Sequence, residues 1–600
     1  MNNFLKYMFA STLGTILGFI FIFILSGIIM AGIIGSAMMF ADRGKDDVEV
    51  KPNTVLTLDI SDAIIERAAE NPFAKFQFDG MDDGGKNELS SVLGAIENAK
   101  SDTNIKGIVI RGASFNGGLA TLQNLRVELL DFRESGKWII AYEEMYTQSA
   151  YYLAPAADEV YMLKEGGLDF RGLRSEVAFF KGAMDKLGIE AIVIKGADNK
   201  YKSAVEPFYR ENMSAENKVQ MQRILDNIWT DWTSNLAESR GITPEVMNDL
   251  ADNLKIDSPD AAVEFGFVDE LVYYDQFEYK LKEKLGLEDD DDLETMSIGK
   301  YSNVKPEKKE DKNWELKDEI AVIYAVGGIG SGEGDEESIG SETLAKAIRD
   351  ARKDEDVKAI VMRVNSPGGS ALASEVIWRE SVLAGEEKPF VVSFGDVAAS
   401  GGYYISTHAA RIFGQTNTIT GSIGAFGIIP NMRGFFNDKM GITFDVVKTN
   451  QFADFGTLSR DFDEAEIAHV QNYLDQVYTE FVAKVADGRG MTYDQVDSLG
   501  RGRVWTGGDA LEIGLIDEIG DLNDAIAYAA AEADLEDYDV IDLPKKVDPF
   551  ERFMKDFKGE TKALVADWVL GEEAVWLQKV EQVKEMDGVQ VRLPFEMRVY

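Results

Sequence analysis

The chain repeats itself, and that limits its architecture more than any other feature. Lys106-Gly107-Ile108-Val109-Ile110-Arg111 returns 252 positions later as Lys358-Ala359-Ile360-Val361-Met362-Arg363. At the same offset Ala95-Ile96 meets Ala347-Ile348, Asp102 meets Asp354, and Tyr151-Tyr152 meets Tyr403-Tyr404. Asn116-Gly117-Gly118 meets Pro367-Gly368-Gly369 after a slip of one residue. Glu264-Phe265-Gly266 and Asp269 meet Glu512-Ile513-Gly514 and Asp517 at an offset of 248. Matched segments in one unbroken order predict two copies of one unit. The alternative, that helix–strand units merely resemble one another, does not account for the shared order.

Each copy alternates two hydrophobic periods. Leu344, Ala347, Ile348 and Ala351 fall at helical spacing, whereas Ala359 to Val364 and Phe390 to Phe394 are short apolar runs suited to buried strands. The expected fold class is α/β. Glycine-rich turns follow the strands, where such folds place their chemistry.

The copies are not equal. The second carries Ser400-Gly401-Gly402 where the first has Gln148-Ser149-Ala150. The first carries Tyr201-Lys202-Ser203 where the second has Phe452-Ala453-Asp454. A serine kept in one copy and a lysine kept in the other predict one catalytic pair assembled between the two.

Composition narrows the function by exclusion. The net charge of −43 argues against nucleic-acid binding, which needs a basic surface. With no cysteine, disulfides, thiolate metal sites and a cysteine nucleophile are excluded. No metal site and no cofactor is expected. A run from Phe9 to Ala41 contains no charged residue. It exceeds the ~20 apolar residues that a membrane span needs and the ~7–15 of a signal-peptide core, so an uncleaved anchor is expected.

The expected organisation is a short tail (1–8), a transmembrane anchor (9–41), a first domain (42–285), a charged linker (286–318), a second domain (319–545) and a C-terminal tail (546–600). The linker holds the acidic run Glu288-Asp289-Asp290-Asp291-Asp292. In the tail, Phe553, Phe557 and Leu564 can share one amphipathic face.

Ser400 ends a strand-to-small-residue turn at an expected helix amino terminus, where unpaired N–H groups favour negative charge. The same geometry serves a nucleophile elbow and an ordinary capping serine. Asn365-Ser366-Pro367-Gly368-Gly369-Ser370 can aim backbone N–H groups of Gly368 and Gly369, with that of Gly401, at a carbonyl oxygen; it can also be a plain Pro-Gly turn. The only histidines are His408 and His469. A helix through Ser400 would hold His408 roughly 12 Å away along its axis, and His469 has the setting of a surface helix. A lysine acts as base when burial keeps it neutral. Lys202 has small and apolar neighbours, although most lysines are simply exposed.

Taken together, Tyr201-Lys202-Ser203-Ala204-Val205-Glu206-Pro207-Phe208, Asn365-Ser366-Pro367-Gly368-Gly369, Ala398-Ala399-Ser400-Gly401-Gly402-Tyr403-Tyr404 and Thr420-Gly421-Ser422-Ile423-Gly424 closely resemble the signal peptide peptidase A (protease IV) family, peptidase family S49, in its long two-copy form. The likeness extends to Gly502-Arg503-Val504-Trp505-Thr506-Gly507 and Gly514-Leu515-Ile516-Asp517. The resemblance implies tandem domains of Clp protease/crotonase type behind the transmembrane helix. It implies Ser400 as nucleophile, Lys202 as general base, Ser422 as orienter of the amine, and Gly368, Gly369 and Gly401 as oxyanion donors. It further implies a homotetramer in the inner membrane with periplasmic catalytic domains, acting on signal peptides and other unfolded peptides. Two other functions fit parts of the pattern: oxyanion stabilisation of an acyl thioester, and a peptide-binding scaffold without turnover.

Overall fold

The computed structural model of the chain describes residues 49–68, 86–196, 198–304, 318–546 and 589–592, with isolated positions 14, 18 and 21. The expected anchor lies outside the described residues but for those three positions, as do Phe553, Phe557 and Leu564. No helix among the described residues is long and apolar enough to cross a membrane.

The fold is mixed α/β, with the same sheet built twice. In the first copy the strands run Glu270–Leu271, Glu159–Leu168, Trp138–Tyr146, Ile105–Arg111, Thr54–Asp59 and Thr295–Ser297, every neighbouring pair parallel. The second copy repeats this order with Glu518–Ile519, Arg411–Gly414, Phe390–Ala399, Val357–Ser366, Glu319–Val326 and Asp539–Leu543, again parallel. Parallel strands covered on both faces read as continuous apolar runs, and Ala359 to Val364 are all buried. Leu344, Ala347, Ile348 and Ala351 form the buried stripe of the Ser341–Lys353 helix, at the spacing expected. Thr295–Ser297 pairs with Thr54–Asp59. The charged stretch after Leu285 therefore supplies an edge strand to the first sheet, while Glu288 to Asp292 stay exposed.

A third sheet ties the copies together. Its order is Ser338–Gly340, Gly328–Gly330, Gly368–Ser370, Val589–Arg592, Phe426–Asn431 and Glu190–Lys195. Phe426–Asn431 of the second copy pairs antiparallel with Glu190–Lys195 of the first, from Phe426 opposite Lys195 to Asn431 opposite Glu190. The C-terminal strand Val589–Arg592 runs antiparallel to both Gly368–Ser370 and Phe426–Asn431.

Two buried polar contacts close the joint. The Arg363 guanidinium donates to Glu66 Oε1 (2.6 Å) and Oε2 (3.1 Å), and also to Ser393 Oγ and the Phe394 carbonyl. Both side chains of this ion pair are at most 4% exposed. Asp396 accepts from the N–H of Thr121 (2.8 Å) and from its hydroxyl (2.9 Å), at the amino terminus of the Leu119–Glu134 helix. Its carboxylate fills the space over Gly118, where a Cβ would lie 2.0 Å from Asp396 Cγ. Burial nevertheless holds the Asp396 carboxyl above the usual range.

Candidate active site

The strand Phe390–Ala399 delivers Ser400 to a sharp turn. Its backbone has φ +56° and ψ −113°, and the short helix Gly401–Tyr404 starts immediately after it. A non-glycine residue with positive φ is uncommon and is held only where its surroundings fix it. Here the Ser400 N–H donates to the Gly421 carbonyl (2.8 Å), and its own carbonyl accepts from Tyr404 N–H (2.8 Å). Gly401, as the first helical residue, has an N–H without an intrahelical acceptor.

Lys202 arrives from the other copy. After the Glu190–Lys195 strand the chain turns, and Gly196 N–H and Asn199 Nδ2 both donate to the Ala425 carbonyl (3.0 and 3.1 Å). Tyr201 N–H then donates to the Arg501 carbonyl (3.1 Å). The lysine Nζ comes to rest 2.7 Å from Ser400 Oγ, 2.8 Å from the Ser422 carbonyl and 2.9 Å from Ser422 Oγ. Lys202, Ser400 and Ser422 are each 0% exposed. Nζ and Oγ belong to one chain, so the pair needs no neighbour to form.

Burial alone pulls the Lys202 ammonium well below the ordinary lysine range. No carboxylate opposes that pull, so the amine is favoured in its neutral form. A neutral amine can donate to the carbonyl and hydroxyl of Ser422 and accept the Ser400 O–H. Ser422 is itself bent, with φ +52°, and is tied down by its N–H donating to Arg503 O (2.7 Å).

The glycine turn lies beside this pair. A Cβ on Gly401 would approach Gly368 Cα and Gly369 N, each to 3.1 Å. Gly368 N–H donates to Ser366 Oγ (3.2 Å). All six residues singled out from sequence (Ser400, Lys202, Ser422, Gly368, Gly369 and Gly401) are therefore gathered in one buried region. The histidines are elsewhere: His408 lies against Gly385, and His469 meets the Phe455 ring edge-on.

Sequence reasoning missed the frame that holds Lys202. Gln220 donates to the Tyr201 carbonyl (3.1 Å), Ser203 Oγ (2.9 Å) and Asn217 Oδ1 (3.2 Å), and accepts from Val504 N–H (3.3 Å). It thus grips the residues on both sides of Lys202 and links them to the strand Val504–Thr506, which pairs with Ile419–Gly421 just before Ser422. Glu206, 1% exposed, accepts from Ser214 N–H (3.1 Å) and Asn217 Nδ2 (3.0 Å). Gly502 has φ +79°, and a Cβ there would lie 2.5 Å from Lys202 Cβ. A glutamate inside the small-residue run around Lys202 was the one visible signal. Gln220 sits on a long helix with nothing in its sequence neighbourhood to mark it.

Comparison with known proteins gives the family. The model of peptidase family S49 matches residues 131–288 and 383–536, one segment in each copy. The protein named Protease 4 from Haemophilus influenzae is 38% identical over 73% of this chain and 72% of its own length. Protease 4 from Salmonella typhi is 34% identical over 85% of this chain and 84% of its own. The chloroplastic serine protease SPPA of Arabidopsis thaliana is 33% identical over 73% of this chain and 64% of its own.

Proposed function

The chain belongs to peptidase family S49 and is a serine protease, and from that premise we propose that it is a membrane-anchored endopeptidase working through a Ser400–Lys202 dyad. The observation that carries this reading is the 2.7 Å separation of Lys202 Nζ and Ser400 Oγ between two side chains sealed from water.

Neutral Lys202 takes the Ser400 proton as Oγ attacks the peptide carbonyl. The developing oxyanion is received by backbone N–H groups of Gly368 or Gly369 and of Gly401. One such donor is worth roughly 3–4 kcal/mol of barrier. The ammonium then protonates the leaving amine as the C–N bond breaks, leaving an acyl-serine. Water attacks that ester, gives its proton to Lys202, and the departing Ser400 alkoxide recovers a proton from the ammonium. Ser422, through two contacts to Nζ, keeps the amine lone pair aimed at Ser400.

The substrates are signal peptides and other unfolded apolar chains. Each copy is a domain of the Clp protease/crotonase type, residues 9–41 anchor the chain in the inner membrane with the domains on the periplasmic side, and the chain assembles as a homotetramer. The test is reaction with a serine-directed fluorophosphonate, located by mass spectrometry. Label on Ser400 that disappears in Lys202→Met is the expected result. Acyl-thioester binding without label, or peptide binding unchanged by Ser400→Ala, would replace the protease mechanism with another.

A further inference from the structure

We propose that the chain joins a second copy of itself by antiparallel pairing of residues 174–179 of one chain with residues 443–448 of the next. This deepens the self-association stated above and rests on it.

The internal repeat carries the inference. Gly172 and Gly182 meet Gly424 and Gly434 at the offset of 252, and Gly188 and Lys195 meet Gly441 and Lys448 at 253. Residues 174–179 are therefore the first-copy counterpart of the strand Phe426–Asn431. Residues 443–448 are the second-copy counterpart of the strand Glu190–Lys195. Those two strands are the ones that pair across the joint inside the chain. Neither counterpart is helical, and among the described residues neither is paired with another strand. One half of an antiparallel pair thus stands open on each copy.

The surfaces suit such a joint. Every residue from 443 to 448 is exposed. Phe444 is 50% exposed, Val446 51% and Val447 99%, with Met440 and Ile442 exposed beside them. Exposed apolar side chains on a segment with no strand partner invite one. Residues 174–179 alternate exposed with half-buried positions, the pattern of a strand with one covered face.

The two open segments differ, so the contact is head-to-tail and propagates until its rotation closes a ring. It also sets the neighbour's Phe452-Ala453-Asp454 against the first copy's Gln148-Ser149-Ala150. Each joint between chains then holds neither serine nucleophile nor lysine base, and each joint within a chain holds both.

The chain has no cysteine, which makes the register directly readable. The rungs Gly427 opposite Ile194 and Ile428 opposite Val193 carry over as Ser175 opposite Val447 and Glu176 opposite Val446. In full-length, detergent-solubilised protein, a mixture of Ser175→Cys chains with Val447→Cys chains, or of Glu176→Cys with Val446→Cys, should form an interchain disulfide on oxidation. Neither member alone should link to itself. Val446→Pro, which removes a ladder N–H, should weaken assembly at least about tenfold by sedimentation while fluorophosphonate still labels Ser400, because the dyad lies within one chain. Oligomers that persist with neither cysteine pair linking would overturn the joint and leave self-association standing. A wild-type chain that is monomeric at every concentration would overturn both. Absence of label from a wild-type assembly that cross-links would count against the dyad alone.

Discussion

The first and second copies follow one strand order, yet the turns at their carboxyl ends have met opposite fates. In the second, the glycine turn at Gly368 and Gly369 faces the Ser400 elbow. In the first, the matching Gly117-Gly118 turn faces Asp396, whose carboxylate takes the Thr121 N–H and hydroxyl. The segment following the first copy's Glu190–Lys195 strand brings Lys202 inward. The corresponding stretch of the second, around Phe452 and Asp454, lies at the surface, where Asp454 pairs with Arg460 and Lys448. Duplication therefore left two scaffolds and one set of chemical groups, and the third sheet sets where they meet.

That contrast can be broken in graded ways. The largest effect is expected at the shared pair. Ser400→Ala or Lys202→Met should lower kcat/KM by roughly 10⁴–10⁶-fold, with the double variant no worse than either, since the groups act as a unit. An additive double loss, read by steady-state peptidase assays, would mean two separate roles.

The joint itself comes next. Glu66→Ala leaves Arg363 buried without its carboxylate and should destabilise by about 3–5 kcal/mol in denaturant melts. A neutral result would show that this ion pair does not hold the copies together.

The frame around the lysine should respond less. Gln220→Leu and Gly502→Ala each disturb the backbone that carries Lys202, and a misplacement of about 1 Å costs about 10²-fold in rate. The telling readout is kcat with KM unchanged, since both changes act on the segment that carries the base.

The pH response is gentler still. Activity should rise with pH through the lowered Lys202 pKa, because only the neutral amine accepts the serine proton. Between that pKa and the ordinary lysine value the unfolded chain binds a proton that folded Lys202 does not, so stability also rises with pH across the same window. In Lys202→Met the difference in stability between low and high pH should shrink; an unchanged slope would assign the titration elsewhere. The smallest effect, namely none, is expected from writing Ser-Gly-Gly into positions 148–150. The first copy would gain a nucleophile with no base opposite, and fluorophosphonate labelling there would contradict the division of labour.

Much of this was legible in the letters. The repeat offset gives two sheets of one order, and the unequal motifs at Ser400 and Lys202 single out the two groups that the fold brings to 2.7 Å. Short-range patterns carry such information because helix and strand periods are local. What stayed hidden depends on contacts between residues hundreds of positions apart. Nothing near Gln220 shows that it will hold both neighbours of Lys202 and also Val504. Nothing near Thr295 shows that an acidic connector will contribute a strand. Nothing in Val589–Arg592 shows that it will enter the sheet beside Gly368–Ser370.

The carboxylate of Asp396 over Gly118 has a consequence for history. With that carboxylate seated over Gly118, changes at 148–150 alone would leave the first copy's glycine turn filled. The fold acquired a ratchet: each half now needs the other, and the way back requires evicting a side chain that also caps a helix of its sister.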